Sequence, residues 1–223
     1  MENLSLQRVS GIGAILTGIV AIIGIILISS TDAMTAEDSA ELFPVVHDDK
    51  AVIGAGIWML TLAPVLLLGA VAGIYQKLRS AGDVLRIALI AVAVDALFII
   101  ISNVLALGVV YEVATPWVEG GSEAGSNLLV LGDTLMTMSL VIRVVGDALG
   151  LGIGILLFSI AILKTGLAPK WIGWLGLIAA LGGWLGLFVS TSEVFGLLGL
   201  IGAIALFIWL IGMGVTMVRS SEA

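Results

Sequence analysis

Asp95 has more chemistry to offer than any other residue in this sequence, because it stands alone in an apolar run, RIALIAVAVDALFIIISN, from Arg86 to Asn103. It lies nine residues past Arg86, about 13 Å along a helix. If Arg86 marks one bilayer surface, Asp95 sits close to the centre. An ionisable group at that depth is costly. Such groups face a bundle interior and mark proton or ion pathways, or substrate sites. At matching depth on the other apolar runs stand Thr17, Leu68, Ile155, Ala179 and Leu210, of which only Thr17 is polar. Asp95 is therefore expected to face inward, hydrogen-bonded or protonated, since burial disfavours the charged form. Ser102 and Asn103 follow about two turns on, on a similar face, and extend a polar track towards Arg143 and Asp147. Two chemistries fit: a proton- or cation-coupled pathway, or a structural carboxyl that fastens two helices.

Arg143 and Asp147 are four residues apart, the spacing of a helical ion pair. Arg143 precedes Lys164 by 21 residues, about 31 Å of helix. If Lys164 is at one surface, Arg143 is near the other. The pair reads either as an interfacial ion pair that snorkels to water or as the lining of a vestibule. Asp95, Thr17, Asn103, Arg143 and Asp147 are thus the candidate intramembrane polar site.

Much other chemistry is excluded. There is no cysteine, so thiolate metal sites, iron–sulfur clusters and cysteine nucleophiles are out. The single histidine, His47, precedes Asp48 and Asp49 in a polar stretch. Three adjacent loop side chains do not close around a metal, and a solvated loop is the expectation. No HExxH, no histidine placed as base beside a serine and no lysine deep in a span is present. No catalytic, cofactor-binding or metal residue is assigned, no cofactor is expected, and the chain is read as a non-enzyme. Without a basic patch to neutralise phosphates, nucleic acid is not an expected partner.

The elements that position these residues follow from composition. The 223 residues are 60% hydrophobic and 11% charged, with net charge −7 and mean hydropathy +1.24. One small water-soluble core cannot hide that much apolar surface, so lipid is the expected solvent and the lipid bilayer the expected partner. A spanning helix needs roughly 20 apolar residues. Six spans are predicted: Val9–Ile28, Ala51–Tyr75, Val84–Tyr111, Val144–Leu163, Trp171–Val189 and Val194–Val218. The first is too long for a signal-peptide core and reads as a retained anchor. The fold class is all-α, a single polytopic transmembrane helix bundle over residues 1–223.

Orientation follows from lysine and arginine. Arg8, Lys77, Arg79, Arg86, Lys164, Lys170 and Arg219 fall on one side. Lys50 alone falls on the other, beside an acidic loop over residues 30–50 and Glu112, Glu119, Glu123 and Glu193. Both termini are expected in the cytoplasm and the chain in the plasma membrane. Trp171 and Trp174 look like an inner interfacial belt. A helix from Asn127 to Leu163 would run about 55 Å against a hydrocarbon core of about 30 Å. The polar stretch 127–142 is therefore expected above the outer surface or along it. The outer loop is expected to hold a short amphipathic turn around Ala40–Val46.

Gly146, Gly150 and Gly154 repeat every four residues, as do Gly69 with Gly73 and Gly182 with Gly186. Such faces let backbones approach closely, within one chain or between chains. A homo-oligomer, or other membrane subunits, could dock through them. Pro64 should kink the second span. Trp58, Trp184 and Trp209 read as packing or interface residues.

Two stretches carry a family likeness. Gln7-Arg8-Val9-Ser10-Gly11 leads straight into the first span. Leu151 to Gly186 reads LGIGILLFSIAILKTGLAPKWIGWLGLIAALGGWLG, an apolar helix ending in a basic turn, then a G-x-x-P-[KR]-x-x-G segment made of Gly166, Pro169, Lys170 and Gly173. The sequence resembles the six-helix bacterial and archaeal membrane proteins of domain of unknown function 4386. The resemblance implies a six-helix fold and carries no activity with it.

Three functional readings remain: a structural, sensory or accessory bundle; a small carrier or channel for a proton, cation or solute using Asp95; and a lipid-handling enzyme using Asp95, Arg143 and Asp147.

Overall fold

In hydrocarbon, backbone N–H and C=O groups must be satisfied within the segment, so long apolar runs fold as helices. The computed structural model, which describes residues 6–36 and 38–220, is helical in this way and has no strand among those residues. The helices are α1 (Leu6–Ser29), α2 (Ser39–Asp48), α3 (Lys50–Leu78), α4 (Leu85–Gly108), α5 (Ala114–Leu149), α6 (Leu156–Thr165), α7 (Lys170–Leu185) and α8 (Glu193–Ser220). Two π-helical turns, Val109–Val113 and Gly150–Ile155, join α4 to α5 and α5 to α6. Among the described residues, six helical stretches are long and apolar enough to cross a membrane: Leu6–Ser29, Lys50–Ala81, Leu85–Gly120, Gly125–Thr165, Lys170–Phe188 and Val194–Arg219. The expected all-α, six-span bundle is the observed fold class.

The bounds differ most in the third and fourth stretches. The third continues to Gly120, and the fourth begins at Gly125 and runs 41 residues. The segment 127–142 is not a separate helix but is continuous with the crossing segment. It has packing partners along its length: Ser139 meets Ser102, and Gly132 meets Phe43. In the first unit Ala88 and Val92 meet Gly154 while Asp95 meets Gly150 and Gly146, so α4 and the helix it packs on run antiparallel there.

Contacts divide the chain into two compact units, and α1, α3, α4 and α5 contribute to both. The first gathers the described residues up to Ile19, Ala63–Phe98 and the described residues from Val144 onward. Its core includes Ile74, Leu85, Phe158, Ile172 and Trp209. Small residues let its helices close up. A Cβ on Gly11 would lie 2.8 Å from the Gly214 carbonyl oxygen, and one on Gly182 would lie 2.5 Å from Gly202 Cα. Ser10 Oγ donates to the Gly69 carbonyl at 2.9 Å, and Gly73 packs on the same serine. The glycine faces expected from sequence are thus used inside the chain, apart from Gly69 and Gly186, which have nothing within 4 Å of their Cβ directions.

The turn that carried the family likeness belongs to this unit. Gly166 ends α6 in the left-handed conformation, φ 68°, its N–H bonded to the Ile162 carbonyl at 3.0 Å. This is the usual glycine helix stop. Pro169 precedes the first residue of α7, where a missing N–H costs nothing. A Cβ on Gly173 would lie 2.7 Å from Leu163 Cγ, so this glycine sets how closely α7 folds back on α6.

The second unit comprises Val20–Leu62 and Ile99–Arg143. The expected amphipathic turn is a full helix here, α2, capped by Asp38, whose carboxylate accepts from the Glu41 N–H at 2.9 Å. Phe43 and Val46 on α2 enter a core with Ile53, Ile57, Val110 and Val113. Phe43 stacks edge-on against Trp117, ring centroids 5.5 Å apart. Pro116 has a local consequence. It cannot donate to the Glu112 carbonyl four residues back, and the π-turn Val109–Val113 takes up the mismatch. Of the acidic outer residues, Glu37 and the side chains of Glu123 and Glu193 lie outside the described residues.

Candidate functional site

Asp95 is 3% exposed and lies on the face of α4 that packs on the Gly146, Gly150, Gly154 stripe. The contacts step along α4 at helical spacing. Ala88 and Val92 meet Gly154, and Asp95 meets both Gly150 and Gly146. A Cβ on Gly146 would lie 2.9 Å from Asp95 Oδ1 and 2.9 Å from Phe98 Cβ. A Cβ on Gly150 would collide with the Asp95 carboxyl itself. Three glycines within Gly150–Ile155 weaken the α-helix locally, and here it widens into the π-turn.

The other side of the π-turn is held by Trp184 of α7. Its indole N–H donates to the Gly152 carbonyl at 2.9 Å. Gly183 comes close to Leu151 and to the Asp147 carbonyl. An irregular, carbonyl-bearing turn is therefore clamped between a carboxyl from α4 and an indole from α7. π-turns of this kind are frequent at functional sites. Chemically, the arrangement can hold the helices in register, and its carboxyl can take up or release a proton.

The remaining candidates are placed as follows. Thr17 is buried, and its hydroxyl donates to the Gly13 carbonyl of its own helix at 2.8 Å, so its hydrogen is already committed. Asp147, half-buried, belongs to the same unit as Asp95 and Thr17. Asn103 and Arg143 belong to the second unit. Arg143 is exposed. Asn103 is 4% exposed, and its Nδ2 makes no hydrogen bond among the described residues. Ser102 Oγ and Ser139 Oγ are 2.8 Å apart, with Ser139 also donating towards the Ser102 carbonyl at 3.0 Å. What read as the next step of a polar track is a buried serine pair tying two antiparallel stretches.

His47 lies on α2, not in a loop. Its Nδ1 is 3.4 Å from Thr115 Oγ1, to which Lys50 Nζ donates at 3.5 Å. The Lys50 ammonium also stands 5.3 Å from the Tyr111 ring centroid, a cation–π distance. Among the described residues no three His, Asp or Glu side chains gather within reach of one metal ion. Two features escaped the sequence reading. Trp184 left no signal, since nothing local tells a packing indole from a donating one. The π-turns did leave one, in the GLGIG run at Gly150 and in Pro116.

Comparison with known proteins is decisive on one point. The family model described as domain of unknown function (DUF4386) matches residues 9–214. The chain belongs to the DUF4386 family. No curated protein matches it. No solved structure matches it either. The match to DUF4386 takes in Asp95, the glycine stripe and Trp184 together, along with the turn from Gly166 to Gly173.

Proposed function

We propose that this DUF4386 protein is a non-enzymatic bundle of the plasma membrane, structural, sensory or accessory in role, in which Asp95 fastens α4 to the helix beside it. One observation carries this reading: the carboxyl rests directly on Gly146 and Gly150 and fills the space their side chains would need. Interhelical polar contacts of this kind commonly hold membrane bundles together. Further copies of the chain, or other membrane subunits, would dock on faces other than this stripe, which α4 already covers.

A second reading, a small proton- or cation-coupled carrier using Asp95, is favoured by the π-turn beside the carboxyl. Flux measurements on proteoliposomes separate the two. Under the fastening reading, wild-type vesicles pass protons and cations no faster than protein-free ones, and Asp95→Asn changes only thermal stability. Flux in wild type that Asp95→Asn abolishes gives the site to the carrier.

The orientation belongs to the same proposal. The charge bias of the connections supports cytoplasmic termini. An impermeant amine reagent added to intact cells should then modify Lys50 and spare Lys164; the reverse pattern inverts the topology.

A further inference from the structure

A groove of about 640 Å³ runs along α8 beside the start of α7, lined by Pro169, Trp171, Ile208, Ile211, Gly212, Val215, Thr216 and Arg219. Three features of it point to a ligand of one kind. Its walls are apolar, and the Thr216 hydroxyl is turned back to the Gly212 carbonyl at 2.8 Å. Its one charged lining residue, Arg219, is exposed and makes no ion pair among the described residues. Its length matches a membrane leaflet: from Ile208 to Arg219 is about 16 Å of helix, roughly half the 30 Å hydrocarbon core. Trp171 lies against the groove floor, where a Cβ on Gly212 would be 2.8 Å from its ring. Half-exposed tryptophan is characteristic of headgroup depth. Lys164, in the last turn of α6, and Lys170, the first residue of α7, are also exposed.

We infer that this groove binds an anionic phospholipid of the leaflet next to Lys164, Lys170 and Arg219, with an acyl chain along Ile208, Ile211 and Val215 and the phosphate on the Arg219 guanidinium. The fork of the guanidinium matches phosphate geometry. The neighbouring lysines add a field that favours an anionic headgroup over a zwitterionic one. Gly212 sets how closely Trp171 packs on α8, since a Cβ there would lie 2.8 Å from the indole ring and force it to shift. The inference rests on membrane placement of the bundle and is independent of what Asp95 does.

The test uses the full chain in nanodiscs containing equal phosphatidylglycerol and phosphatidylcholine of matched acyl chains, released into native mass spectrometry. Phosphatidylglycerol should be retained in preference to phosphatidylcholine. Arg219→Gln should lower that retention roughly five-fold, the effect of one basic residue at a lipid surface. Arg79→Gln, which removes an exposed cation outside the groove, should leave it unchanged. Gly212→Leu should abolish retention while Arg219→Gln, a change at an exposed side chain, guards against a mere folding defect. Equal retention of both lipids, equal loss in Arg79→Gln and Arg219→Gln, or a lipid-free dimer that persists in Arg219→Gln would each overturn the assignment, the last by giving the groove to a second copy of the chain.

Discussion

The Asp95 carboxyl occupies the position that a Cβ on Gly150 would need. A buried carboxyl is therefore matched to the smallest residue, at a place where the helix has already given up its regular hydrogen-bond pattern. The sequence position of the glycine and that of the aspartate depend on each other through the register of two antiparallel helical stretches.

That dependence can be measured. Gly150→Ala overpacks the contact and should cost about 1–3 kcal/mol. In an Asp95→Ala background the same change should cost less, with a coupling of about 0.5–3 kcal/mol. Thermal unfolding of the four proteins in one detergent reads it. Additive costs would show that the two residues do not share a contact.

The buried serine pair makes a separate, smaller claim. Ser102 and Ser139 hydroxyls bond between α4 and α5, and polar pairs in membrane bundles average about 0.6 kcal/mol. Ser139→Ala should destabilise by about that much. Ser102→Ala in the Ser139→Ala background should add little, since its partner is already gone. A full second loss in the double variant would mean that each serine acts alone.

What the sequence makes legible here is what hydrophobic length and charge count express. Six apolar stretches, the inward face of Asp95, the glycine stripe and the basic turn at Gly166–Lys170 all read directly from residue type and spacing. What it does not express is register. Asp95 and Gly150 were both singled out, but which glycine lies under which carboxyl is set by how two helices slide along each other. For the same reason Ser139 read as one polar residue in an overlong segment rather than as the partner of Ser102. The amphipathic turn around Ala40–Val46 was legible, but that its Phe43 packs on Gly132 is again a matter of register between distant segments.

Trp184 offers a test of the π-turn from its other side. Trp184→Phe keeps most of the ring but removes the donor to the Gly152 carbonyl. A net loss of about 0.5–1.5 kcal/mol is expected for such a bond. Amide exchange around residues 150–155 should accelerate more than in the neighbouring turns of α6. Uniform acceleration over α6 and α7 would place the indole in general packing rather than at the turn.

The glycines differ sharply in what they permit, and two of them make opposite predictions. Gly166 is left-handed at φ 68°, a conformation that costs an L-residue about 1–2 kcal/mol, although nothing lies within 4 Å of its Cβ direction. Gly108 has equally open space, but its φ −58° and ψ −41° are helical. Gly166→Ala should therefore lower stability by about 1 kcal/mol. Gly108→Ala should raise it by about 0.4–1 kcal/mol, by restricting the unfolded chain. Both changes add the same methyl to open space, so a difference in sign isolates the backbone. Equal effects in thermal unfolding would mean that the turn from α6 to α7 does not need its left-handed stop.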